Sequence, residues 1–111
     1  MTLDDMSRYK DLFISEAQEH VEKINAALLE LEQDPAAQAA LEQTFRSVHS
    51  LKGMAGTMGY TNLSRLAHSL EDLLDQVRQE KTPITPALMD LLFAGVDAIQ
   101  TLINDLSLIH I

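Results

Sequence analysis

The sequence predicts an all-α protein, folded as an antiparallel up-down four-helix bundle. Three observations predict it. Apolar residues recur at every third and fourth position over long stretches, the helical period, and no stretch sustains period-two alternation. Only three prolines and four glycines punctuate 111 residues, and Pro35, Gly59 and Pro83 divide the chain into four segments. Hydrophobic residues make up 46% of the chain and aromatics 5%, so the core must be built mainly from Leu, Ala, Ile, Val and Met, as in packed helices. Four amphipathic helices joined by short connections pack as such a bundle.

The first helix is expected over 4–34, with Met6, Tyr9, Phe13, Ala17, Val21, Ile24, Leu28 and Leu31 in one stripe. At 1.5 Å per residue it is roughly 45 Å long. Asp34-Pro35 disfavours continuation, and Pro35 suits the start of the second helix, expected over 36–58. Its inward residues are Leu41, Phe45, Val48, Leu51, Ala55 and Met58, and Gly59 stands where a C-cap belongs. Thr61 is expected to N-cap the third helix, 62–80, with the stripe Leu63, Leu66, Ala67, Leu70, Leu73, Leu74 and Val77. Thr-Pro-Ile-Thr-Pro at 82–86 is a loop. Thr85 followed by Pro86 is an N-cap with proline at the first helical position. That fourth helix, 86–107, carries Leu88, Leu91, Leu92, Val96, Ile99, Leu102, Ile103 and Leu106. The chain 1–111 reads as one domain. Its apolar, uncapped end, Leu106-Ser-Leu-Ile-His-Ile111, reads as a cut or as the start of a fifth helix.

Charge narrows the function. Eight basic against seventeen acidic residues give a net charge of −9. A nucleic-acid binder needs a basic face to neutralise phosphates, and docking on an anionic membrane needs the same. With no cysteine, disulfides and thiolate metal sites are excluded. No apolar run approaches the ~20 residues of a membrane span, and the N-terminus lacks the basic start of a signal peptide. The expectation is a soluble, cytoplasmic domain.

Of four histidines, His20 and His110 have nothing around them to suggest more than a structural or solvated role. His49 opens the run His49-Ser-Leu-Lys52-Gly53-Met-Ala-Gly56-Thr-Met-Gly59. Lys52 lies one turn along on the same side. Each glycine inside a helix costs roughly 1 kcal/mol relative to alanine, so Gly53 and Gly56 need a reason: close helix packing, or bare backbone that lets another protein reach the imidazole. On a helical wheel His49 falls roughly 120° from its stripe centre and Glu71 roughly 110° from its own, both on flanks. Lys52 falls nearer the stripe, so its ammonium must snorkel outward. His68 falls almost opposite the stripe. Counted from the turn at Gly59, His49, His68 and Glu71 lie about 14–18 Å along their helices, at one level. A hydrogen bond from His49 to Glu71 fits that level, provided the two flanks face each other. Such a carboxylate would fix the imidazole tautomer and leave Nε2 as a nucleophile. A nearby ammonium would offset the charge of an incoming phosphoryl group. No strand precedes the glycines, so they are not a nucleotide-binding loop.

Phe45-Arg-Ser-Val-His49-Ser-Leu-Lys52-Gly53-Met-Ala-Gly56-Thr-Met-Gly59-Tyr60, followed by Leu66-Ala-His68-Ser-Leu-Glu71, resembles the histidine phosphotransfer (HPt) domain of CheA-type chemotaxis histidine kinases. The resemblance covers essentially the whole chain, including Phe93-Ala-Gly-Val-Asp97. It implies that His49 is the phospho-accepting histidine, modified on Nε2. Glu71 would be the carboxylate that hydrogen-bonds the imidazole, with Lys52 and His68 in the same polar cluster and Gly53 clearing access. The domain would bind no cofactor and no metal itself. The donor would be ATP held by a separate kinase catalytic domain of the parent chain. The acceptor would be an aspartate of a receiver domain of the CheY or CheB kind, with Mg²⁺ bound there. The family domain usually carries a fifth helix, which this chain is too short to contain in full.

Two other readings of the residues compete. A structural or oligomerising helical bundle explains the stripes but not two glycines inside a helix beside an outward histidine. A metal–carboxylate bundle needs Glu-x-x-His on two helices with further inward glutamates, and the sequence supplies only His68-x-x-Glu71, reversed and on a flank.

Overall fold

The structure is a computed structural model that describes residues 2–108. It holds four helices, α1 (Leu3–Gln33), α2 (Gln38–Thr57), α3 (Thr61–Arg78) and α4 (Pro86–Ser107), with no strand among the described residues. α1 packs on α2 and α4, and α3 packs on the same two helices. Neither diagonal pair, α1 with α3 or α2 with α4, brings Cα atoms within 8 Å. That ring of sequential neighbours is the up-down bundle, 48 × 21 × 20 Å in extent. The expected tail helix and His110 fall largely or wholly outside the described residues.

Most of the helix ends have a local reason. α1 begins at Leu3 because Thr2 and Asp5 form a capping box. The Asp5 N–H donates to Thr2 Oγ1 at 3.1 Å and the Thr2 N–H donates to Asp5 Oδ2 at 3.2 Å. Pro35 does not open α2 as expected. The Ala36 N–H donates to Asp34 Oδ1 at 3.0 Å and the Ala37 N–H to the Asp34 carbonyl at 3.0 Å. Pro35 therefore occupies the second position of a turn, where its fixed φ fits equally well, and the helix starts three residues later. α2 ends in a Schellman motif around Gly59 at φ 77°, with Tyr60 N–H to Ala55 C=O at 2.9 Å and Gly59 N–H to Gly56 C=O at 3.1 Å.

Thr61 does not cap α3; it is the first helical residue, and Tyr60 holds the cap position without a side-chain bond. Packing outweighs capping there. Tyr60 is pinned edge-on against Phe13, with ring centroids 5.0 Å apart. α3 stops at Arg78, not at residue 80, in a second Schellman motif whose left-handed position is held by Glu80 at φ 59°. Thr85 caps α4, accepting the Leu88 N–H at 3.1 Å, with Pro86 behind it.

The core is aliphatic: Val21, Ile24, Leu28 and Leu31 of α1 meet Val48 and Leu51 of α2, Leu74 of α3, and Ile99 and Ile103 of α4. Three expected stripe members are exposed. Met6 and Tyr9 lie in the first turns of α1, ahead of Phe13, which already meets the α2–α3 turn, and both stay exposed. Leu91 lies roughly 100° from the centre of the buried face of α4 and is also exposed. α4 corrects a further expectation. It has 22 residues, and an 18-residue stretch of it reaches a mean hydropathy of 1.4, long and apolar enough to cross a membrane by length and composition. Here one of its faces is spent on the core through Leu88, Leu92, Val96, Ile99 and Ile103, while Asp90, Asp97, Asn104 and Asp105 lie exposed, as in a core helix of a bundle.

The glycine that close packing requires is Gly95. A Cβ there would lie 2.6 Å from Leu70 Cδ2 and 3.1 Å from Leu70 Cδ1. α3 and α4 therefore approach each other over bare backbone. Gly53 and Gly56 have no such duty: a Cβ on Gly53 would meet nothing within 4 Å, and one on Gly56 would make ordinary contact with Ser64 Oγ at 3.6 Å.

Candidate functional site

His49 and Glu71 come together across the α2–α3 interface. Both sit on helix flanks, and the short Gly59–Tyr60 turn folds the helices back at equal distances from it. The flanks do face each other: His49 Nδ1 lies 2.5 Å from Glu71 Oε2, and Lys52 Nζ donates to Glu71 Oε1 at 2.8 Å. One carboxylate thus accepts from both α2 side chains. An ionised carboxylate can only accept, so the proton of the shared bond belongs to His49 Nδ1 and the lone pair is left on Nε2. The His49 side chain is 61% exposed and that of Glu71 only 13%. The anchor is therefore held inside the flank, and the ring it aims stands in solvent.

Burial alone pushes the Glu71 carboxyl up. The hydrogen bonds from Lys52 and His49, together with their charges, outweigh it and hold the carboxyl below its ordinary 4.5. Glu71 is consequently an anion throughout the neutral range. Lys52 does snorkel, but sideways, with its stem along the flank and its ammonium on α3 rather than free in solvent.

His68 is not part of this hydrogen-bonded trio. It is exposed, and its Nε2 stands 3.5 Å from Asp72 Oδ1, one turn along α3. His68, Glu71 and Asp72 could bring one ligand atom each within 4.8 Å of one another, but both oxygens of Glu71 are already engaged. Gly53 and Gly56 share the His49 side of α2 and are exposed, giving two turns of bare backbone beside the imidazole. Gly53 also borders an apolar groove of about 440 Å³ between α1 and α2, lined by Tyr9, Leu12, Phe13, Met54 and Met58. His20 stands apart, half-buried on α1. Its Nδ1 has no hydrogen-bond partner, and burial pushes its pKa below the ordinary 6.5.

One neighbour of His49, and a residue stacked on that neighbour, have no role in the sequence reading of the site. Phe45, one turn earlier on α2, lies nearly parallel to the imidazole, with centroids 6.2 Å apart and an interplanar angle of 14°. The Arg78 guanidinium of α3 sits 3.9 Å from the Phe45 ring centroid. The Phe45–His49 spacing of four is readable in a helix; the reach of Arg78 is a tertiary fact.

The Hpt domain family model matches residues 8–107. This chain belongs to the Hpt domain family. It is 44% identical over 101 residues to the chemotaxis protein CheA of Halobacterium salinarum. Over 102 residues it is 41% identical to the chemotaxis protein CheA of Bacillus subtilis. These alignments cover 91% and 92% of this Hpt domain but only 15% of either CheA chain. Its fold matches the CheA phosphotransferase domain from Thermotoga maritima with a TM-score of 0.86 at 40% identity, over 90% of this chain and 95% of that one. The phosphorylated P1 domain of CheA3, solved in complex with CheY6 from R. sphaeroides, shares the fold at 24% identity, with a TM-score of 0.82 over 88% of this chain and 77% of that one. The chain is a phosphotransfer module of the chemotaxis-kinase kind.

Proposed function

We propose that His49 is the phosphoryl carrier of this Hpt domain, with Glu71 and Lys52 as its supporting groups. The observation that carries the reading is the one half-buried carboxylate that takes Nδ1–H of His49 on one oxygen and the Lys52 ammonium on the other. The Nε2 lone pair attacks the γ-phosphorus of ATP held by a kinase catalytic domain of the parent chain, and the bond to the ADP oxygen breaks. The imidazole then carries positive charge, which Glu71 stabilises through Nδ1–H. Lys52 offsets part of the phosphoryl charge beside it. In the second step a receiver-domain aspartate of the CheY or CheB kind attacks the phosphorus, the P–N bond breaks, and its electron pair returns to Nε2. ATP and Mg²⁺ belong to those partner domains, and the relay runs in the cytoplasm. His68, outside the trio, has a lesser electrostatic part, and Gly53 and Gly56 keep the approach to His49 clear.

Incubation with a CheA kinase catalytic domain and ATP, followed by mass spectrometry, tests the assignment. The phosphate is expected on His49 and absent in His49→Gln. Acid-labile phosphate on His49→Gln at wild-type level overturns it.

A further inference from the structure

The bond to Glu71 holds one atom of the imidazole, Nδ1. A ring held at one atom can still turn about that contact, and with it turns the direction of the Nε2 lone pair. For transfer between two folded proteins that direction matters, because the incoming phosphorus arrives from a docked partner and not from any side. Something must hold the plane of the ring as well as its anchor atom.

Phe45 offers a flat surface to the imidazole, near-parallel at 14° and within the range of offset aromatic contact. Phe45 is itself held from α3. The Arg78 guanidinium lies 3.9 Å from its ring centroid. Arg78 in turn is fixed by Glu42 of α2, through Nε at 2.9 Å, and by Asp75 of α3, through Nη1 at 3.4 Å. A planar guanidinium tied to two carboxylates is well ordered for stacking on an aromatic face. The chain Glu42/Asp75–Arg78–Phe45–His49 thus crosses from α3 back to the exposed ring, on a route separate from Glu71 and Lys52.

We infer that Phe45, steadied by Arg78, is a positioning residue that sets the plane of the His49 imidazole for transfer between proteins. The inference rests on His49 being the phosphoryl carrier. Neither residue touches the phosphoryl group, so both act through the aim of Nε2.

The test compares two donors. Phosphoramidate is small enough to meet Nε2 from any side, whereas a CheA kinase catalytic domain with ATP delivers from one. Phe45→Leu, which keeps most of the volume of the half-buried ring, is expected to slow the protein-delivered reaction about three- to tenfold, the worth of one aromatic contact. The phosphoramidate rate should change less than about twofold, with the KM for the kinase domain unchanged. Phe45→Tyr should restore the protein-delivered rate. Arg78→Gln, which leaves Phe45 in place and the core intact, should slow only the protein-delivered reaction, by about two- to threefold. An equal loss with both donors, or no loss with either in both Phe45→Leu and Arg78→Gln, overturns the inference. A wild-type chain that the kinase catalytic domain with ATP leaves unmodified at His49 would instead overturn the carrier assignment, so the two failures are distinct.

Discussion

Replacing Glu71 by alanine removes two hydrogen bonds at once, the 2.5 Å contact to His49 Nδ1 and the 2.8 Å bond from Lys52 Nζ. The first of these should control the rate. A hydrogen bond to a charged group is worth about 1.5–3 kcal/mol. The one to Nδ1 strengthens as Nε2 bonds to phosphorus and the ring gains positive charge, so its value falls mainly on the transition state. At about 1.4 kcal/mol per factor of ten, phosphorylation of His49 should slow about 10- to 150-fold. The fold should survive, because the His49 side chain is 61% and the Lys52 side chain 27% exposed, and both can take water in place of the carboxylate. Glu71→Gln separates the two bonds. It keeps an acceptor for Nδ1–H, but a neutral one of about half the strength, and it turns an NH₂ toward the Lys52 ammonium. Its rate should lie between wild type and Glu71→Ala. Initial rates of phosphate incorporation at saturating ATP and kinase domain, read by intact mass, measure this beside thermal melts by circular dichroism. A Glu71→Ala rate within twofold of wild type, with an unchanged Tm, refutes the role of the carboxylate.

Acidification should weaken the fold in two windows. His20 has a folded-state pKa below its ordinary 6.5, so the unfolded chain binds the extra proton and stability falls as pH drops below about 6.5; melts of His20→Gln should lose that first phase. The Glu71 carboxyl is held below its ordinary 4.5, so its stabilisation is complete above that value and is lost as pH falls through the lower folded value; Glu71→Gln should flatten that second phase. Gly53→Ala should raise stability by about 0.5–1 kcal/mol through helix propensity, since its Cβ meets nothing within 4 Å, yet slow protein-delivered phosphorylation. Faster or equal transfer in that variant would argue that Gly53 does not serve access. Glu80→Gly should raise Tm, worth about 1 kcal/mol, by relieving a left-handed position at φ 59°; an unchanged or lower Tm would count against strain there.

The helices were readable because their signals are local. Apolar spacing located all four, and Thr85-Pro86 and Gly59 marked boundaries where the structure has them. The boundaries that moved are those where two local rules compete. Asp34-Pro35 can open a helix or make a turn, and the Asp34 side chain decides for the turn. Thr61 could cap, but Tyr60 is drawn against Phe13 by tertiary packing. Glu80 ends α3 in a conformation usually signalled by glycine, and so gave no warning. The glycines show the same division. Gly53 and Gly56 stood out for sitting beside a histidine, whereas the demand for a bare Cα at Gly95 comes from Leu70 on another helix.

For the site, sequence supplies height but not azimuth. Counting residues from Gly59 put His49 and Glu71 at one level, because the rise per residue is the same in every α-helix. Whether two flanks at one level face each other depends on which way α3 is rotated about its own axis, and that is decided by all of its buried residues at once. Leu63, Ala67, Leu70, Leu74 and Val77 go to the core, which turns Glu71 toward α2 and His68, three residues earlier, out to Asp72 and solvent. The same rotation brings Arg78 over Phe45. Glu71 and Arg78 are seven residues apart, two turns, and therefore share a face. The face that delivers the carboxylate to His49 also presents Arg78 to Glu42, two turns before His49, from where its guanidinium reaches back over Phe45, so the core packing of α3 sets both contacts together.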